Sequence, residues 1–124
     1  MLLIIEKQFL NLRETKPDKI MQVQFNTDKT IEGHERMQNH FSAEIKEKLK
    51  RFDDKITRLE IHVGDENSEK FGLDDKKCVI EARVAGMNPM VVTHNADTVE
   101  KAFSGASDKI KKVLDTTFDK MKSH

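Results

Sequence analysis

Apolar and polar residues alternate from Met21 onward, with Val23 and Phe25 on one face and Gln22, Gln24 and Asn26 on the other, which predicts a half-buried strand. From about Ile31 to Phe52 the period changes. Met37, Phe41, Ile45, Leu49 and Phe52 recur at helical spacing, tracing one stripe of an amphipathic helix that Asp53-Asp54 ends. Alternation returns over Ile56 to Val63, placing Leu59, Ile61 and Val63 inward and Arg58, Glu60 and His62 outward. A third alternating run, Lys77 to Ala85, sets Cys78, Ile80, Ala82 and Val84 against Val79, Glu81 and Arg83. Gly86-Met87-Asn88-Pro89 then supplies turn chemistry before a fourth strand at Met90 to His94, so the last two strands should form a hairpin. Asp97 or Thr98 can cap a final helix whose apolar stripe is Val99, Ala102, Phe103, Ala106, Ile110, Val113, Leu114, Thr117 and Met121.

Four strands with one polar face and two one-sided helices are satisfied by an α+β fold, a two-layer sandwich in the order β-α-β-β-β-α. Its four-stranded sheet is mixed, because the opening strand-helix-strand unit makes the first two strands parallel, and both helices pack on one face. Two stretches stand outside this pattern. Residues 1–20 carry an apolar cluster at Met1 to Ile5 that thins out toward Thr15-Lys16-Pro17-Asp18, and they are expected to be an N-terminal extension, with Met21 a candidate native start. The single domain then runs over residues 21–124. Gly64 to Lys77, with Asp65, Glu66, Glu69, Asp74, Asp75 and Gly72, reads as an acidic, solvated loop.

Composition narrows the function without naming it. At 36% hydrophobic residues and a mean hydropathy of −0.67 the chain is lean, but its periodic segments argue against disorder. Twenty-two basic residues balance 22 acidic ones, so the molecule has no overall field to steer it toward nucleic acid or an anionic membrane, and any such binding must come from a local patch. The single cysteine, Cys78, excludes an internal disulfide, fits a reducing compartment and is expected to be buried on its strand. No stretch approaches the roughly 20 apolar residues of a membrane span, so the expected location is cytoplasmic, with no membrane partner.

Catalytic and metal chemistry find little to rest on. His34, His40, His62, His94 and His124 share no metal-type spacing, and the one thiol has no second thiol to work with. His62 and His94, read as outward strand residues, could converge with Glu60, Glu81 and Arg83 on the open face of the sheet, a weak candidate for a metal or acid–base site. No serine sits in a nucleophile elbow, no glycine-rich loop follows a strand, and there is no Trp or Tyr to stack a flat cofactor. The chain is therefore expected not to be an enzyme, with no cofactor, no metal and no small-molecule substrate.

What remains is clustered basic charge, in Lys46-Glu47-Lys48-Leu49-Lys50-Arg51 and in Lys109-Ile110-Lys111-Lys112, each within one helix. At 100° per residue Lys101, Lys109 and Lys112 project within about 80° of one another on the outer side of the last helix. Gly105 falls between them, where a small residue would admit a phosphate backbone closely. The plainer reading is that such lysines keep an exposed helix soluble, aided by pairs such as Glu44 with Lys48.

The element order and the segment Thr98 to Leu114, TVEKAFSGASDKIKKVL, resemble the ribosome hibernation-promoting factor and ribosome-associated inhibitor A family, the sigma-54 modulation type, over about Met21 to Met121. That family typically reads Asp-Met-Tyr-x-Ala-Ile-Asp-x-x-x-Asp-Lys-Leu-x-Arg here, which Ala102, Phe103, Asp108, Lys109, Ile110 and the basic Lys112 fit. Glu47 to Phe52, Glu-Lys-Leu-Lys-Arg-Phe, is similar to the end of the family's first helix. The resemblance implies binding to rRNA of the small ribosomal subunit at the decoding region, inhibiting or protecting idle ribosomes, with Lys48, Arg51, Lys109 and Lys112 carried over by position and Lys101 beside them.

Glu100 stands where the family usually has Tyr, Ser104 replaces Asp, and Asp54 falls where a third basic residue is common. With the zero net charge these define the alternative, a protein-interaction or stress adaptor of the same fold without rRNA binding. Ribosome pairing through the C-terminal extension of long family members is not expected of a chain ending at His124.

Overall fold

The computed structural model describes residues 21–27, 34–65 and 76–122. Four strands, β1 (Gln22–Thr27), β2 (Ile56–Asp65), β3 (Lys76–Val84) and β4 (Met90–Ala96), form one sheet in the order β1-β2-β3-β4. Helix α1 (His34–Lys48) connects β1 to β2, and α2 (Val99–Lys122) closes the chain. β1 runs parallel to β2, with Gln22 opposite Arg58, and the other two junctions are antiparallel. This is the β-α-β-β-β-α order and mixed sheet that the periodicity predicts. The expected N-terminal extension at residues 1–20, the start of the first helix at Ile31, and most of the acidic loop lie outside the described residues.

The core is a single layer between the sheet and the helices. Phe25 of β1 meets Phe41 of α1 edge-on at 5.9 Å, and Phe41 stacks on Phe103 of α2 at 4.1 Å, so three aromatic rings tie both helices to one sheet face. Leu59, Ile61, Val63, Cys78, Ile80 and Ala82 supply the sheet side, and Ile45, Leu49, Ile110 and Leu114 the helix side. Cys78 is fully buried as expected, and burial pushes its thiol up to about 12, because a thiolate there would lose its hydration.

Three departures from simple periodicity shape the surface. β2 carries an irregularity between Ile56 and Arg58, which lets both Ile56 and Leu59 face the core although an even alternation would part them. At the hairpin, Met87 N–H donates to the Val84 carbonyl at 3.1 Å and Gly86 takes φ 79°, the left-handed position such a turn reserves for glycine. Along α2 the buried stripe takes in Ser107 and Phe118, whereas Val113 and Met121, both expected in it, are exposed at 36% and 55%. Met121 lies past Phe118, the last buried residue of the stripe, and Val113 sits at its edge beside Val92, so a stripe drawn from spacing alone does not know where the cover ends. Ser107 is tolerated inside because its hydroxyl donates to the Phe103 carbonyl at 2.6 Å.

Candidate nucleic-acid interface

α1 stops being α-helical at Lys48, and the chain tightens into a short 3₁₀ turn, Lys50–Phe52, that keeps Leu49 and Phe52 in the core. The turn carries Arg51 out beside the second helix. There its guanidinium lies over the Phe52 ring, 4.7 Å from the centroid, and Nη1 donates to Asp115 Oδ1 at 2.8 Å, with Asp119 Oδ1 3.7 Å from Nη2. One turn earlier, Lys48 Nζ donates to Asp108 Oδ1 at 2.5 Å. Lys111 Nζ, on the same helix as its acceptor, binds the second oxygen of Asp115 at 3.1 Å. The seam between the helices is therefore a ladder of cation–carboxylate pairs.

The other flank of α2 overlooks β4. Thr98 caps the helix, its hydroxyl accepting from the Lys101 N–H at 3.1 Å, and the Lys101 ammonium pairs with Asp97 at 3.2 Å. Lys109 reaches down to the strand and donates to the Thr93 carbonyl at 2.8 Å. Lys112 is exposed and has no hydrogen-bond or ion-pair partner among the described residues. Lys109 and Lys112 rim a shallow groove of about 430 Å³ whose other walls are Val92, Val113, Thr116 and Thr117.

The structure thus divides the five cations nominated from sequence. Lys48 and Arg51 form one group, engaged by aspartates, and Lys109 and Lys112 a second on the β4 flank, with Lys101 held by its own cap region. Gly105 is not the open point of approach that its place among the lysines suggests. A methyl group there would overlap the imidazole of His94, so this glycine lets the helix settle onto the strand rather than onto a ligand.

The same contact removes the His62 and His94 candidate. His94 lies opposite Cys78 and faces the helices, while His62 lies opposite Val79 on the open face. The open face itself is electrically self-contained. Glu60 forms an ion pair with Arg58 at 3.2 Å and lies 3.7 Å from Arg83, and Arg83 Nε donates to Glu81 at 2.9 Å, an interaction that raises the Arg83 pKa through the hydrogen bond and charge of Glu81. No group of three or more His, Cys, Asp or Glu side chains suited to a metal occurs among the described residues, and no helix there is long and apolar enough to cross a membrane.

Asp115 and Asp119 stand outside the residues that the sequence nominates, and Lys111 enters there only as a member of a basic cluster. A signal was present, since Asp108, Asp115 and Asp119 fall within about 40° of one another at helical spacing. That arc has no meaning until α1 is placed beside it.

The architecture defines a small α+β domain with two helices side by side on one sheet face and a mixed-charge ridge along the second. More narrowly, the chain belongs to the sigma-54 modulation protein / S30EA ribosomal protein family, whose model matches residues 25–122. Among solved structures it is similar to a ribosomal subunit interface protein from Coxiella burnetii, at 16% identity and a TM-score of 0.57, over 84% of this chain and 100% of that one. It is also similar to the N-terminal domain of Protein Y from Thermus thermophilus, at 11% identity and a TM-score of 0.59, over 76% and 96%. At these identities the likeness of structures carries the fold. No curated protein matches the chain.

Proposed function

We propose that the protein is a ribosome-associated, hibernation-type factor of the cytoplasm that binds rRNA of the small subunit near the decoding region and inhibits or protects idle ribosomes. The observation that carries this reading is the family match over residues 25–122, which takes in both cation-bearing helices. Lys48, Arg51, Lys101, Lys109 and Lys112 are the side chains that would meet phosphate, giving position and affinity rather than base sequence. Their role is electrostatic, so binding falls as salt rises.

The test is sedimentation. Tagged protein from stationary-phase cells should travel with small subunits in a low-salt gradient and leave them at high salt, and the pair Lys109→Glu/Lys112→Glu should leave them at low salt too. Protein that stays at the top of the low-salt gradient would overturn the reading. The pairing of Lys48 and Arg51 with aspartates favours the alternative, an adaptor that kept the fold and binds a protein instead. A single non-ribosomal partner, retained regardless of salt, would establish that alternative.

A further inference from the structure

We propose that Asp108, Asp115 and Asp119 are specificity-determining residues, which shield Lys48 and Arg51 from loose polyanions and leave them open to a folded RNA surface. The inference rests on the rRNA-binding reading above and deepens it. All three carboxylates lie on one flank of α2, and all three are spent on the cations of the α1 end: Asp108 on Lys48, Asp115 on Arg51, and Asp119 beside the same guanidinium.

A phosphate approaching either cation must displace a carboxylate already in contact with it. The gain is then the difference between two ion pairs, and the displaced carboxylate is left close to the incoming anion. A flexible single strand offers nothing in return for that displacement. Folded RNA can, because it presents 2′-hydroxyls and base-edge N–H donors at fixed places next to its phosphates, and these can receive the carboxylates that the cations release. The aspartates therefore penalise a strand that brings phosphate alone more than a surface that brings phosphate and donors together. Lys109 and Lys112 on the β4 flank have no such guard among the described residues, since Lys109 is held by a backbone carbonyl and no carboxylate pairs with Lys112.

The experiment compares Asp115→Asn/Asp119→Asn with Glu35→Gln/Glu100→Gln. Both variants remove two negative charges, but Glu35 and Glu100 are exposed and no cation of the interface is paired with them. Asparagine can still accept a hydrogen bond from Arg51, which preserves the local geometry. Affinity is measured for labelled poly(U) and for purified small subunits in the same buffer. The α2 variant should bind poly(U) about fivefold tighter than wild type, the expected release from two surface ion pairs, and the control less than about twofold. Small-subunit binding should rise by a smaller factor than poly(U) binding, so that the ratio between the two falls.

Equal gains by the two variants would reduce the effect to net charge and overturn the proposal. So would an equal gain on poly(U) and on subunits. If wild type fails to bind subunits at all, the ribosomal reading falls, while the poly(U) comparison still decides whether the aspartates shield. Should Asp115→Asn unfold the chain, Asp108→Asn, which removes the partner of Lys48 alone, repeats the test, and an unchanged poly(U) affinity there would overturn it.

Discussion

The two flanks of α2 carry similar positive charge and hold it in opposite ways. Toward α1, Lys48 and Arg51 pair across to carboxylates and fasten helix to helix, while Lys111 shares Asp115 from the same helix. Toward β4, contact is made by shape, with His94 filling the space that Gly105 leaves open, and by one long lysine bonded to a strand carbonyl. A count of lysines and arginines would treat the flanks as one surface. What matters for an incoming anion is which cations would have to break an existing ion pair, and on that measure the β4 flank is the available one.

The largest expected effect concerns the shape-held flank. Gly105→Ala adds helix propensity but forces the His94 ring aside, and the overlap should win, destabilising the protein by about 2 kcal/mol in chemical denaturation. Deleting the ring as well, in His94→Ala/Gly105→Ala, should recover part of that loss. A neutral or stabilising Gly105→Ala would mean that the β4 flank is not closely packed.

Next in size is the contrast in binding. Lys109→Gln/Lys112→Gln should weaken small-subunit affinity about tenfold at low salt and lower the salt slope by nearly two, whereas Lys48→Gln/Arg51→Gln should weaken it about threefold, because pairing already offsets those cations. Equal losses would erase the distinction between the flanks.

The smallest effect lies beneath the β4 flank, where Cys78 stands opposite His94. Its folded thiol titrates at about 12 against an ordinary 9.0. The stability linked to the neutral thiol is thus fully present below about pH 9 and is lost as the pH rises toward 12. At pH 10 wild type should have lost roughly 1 kcal/mol relative to pH 7.5 beyond any loss in Cys78→Ala. Matching pH profiles for the two proteins would show that water reaches this layer.

Most of the fold was legible because it depends on local period. Val23 and Phe25, the Met37 to Phe52 stripe and the Cys78 to Val84 alternation each report their own element, and the family segment from Thr98 to Leu114 reports the last helix. The candidate site was legible only as a set of charges. Lys48 and Asp108 are neighbours solely through tertiary packing, and nothing in the spacing of either helix says which flank faces the other. His94 shows the same limit from another side, since a polar ring turns inward only because a glycine on a different element makes room for it. The irregularity near Thr57 was invisible for a related reason, in that it shows only once β2 is laid against β3.

The single parallel junction in the sheet also sets how far apart along the chain its partners lie. β3 and β4 are joined through the tight turn at Gly86 and can pair as soon as both are extended, and β2 joins them antiparallel. β1 cannot pair with β2 until the chain between them has crossed over the sheet as α1, so its closure entropy is larger and must be offset by Phe25 and Phe41 arriving together against Phe103. The strand that comes first along the chain thus makes the longest closure, and the ring that Phe41 stacks on belongs to the last helix to be synthesised.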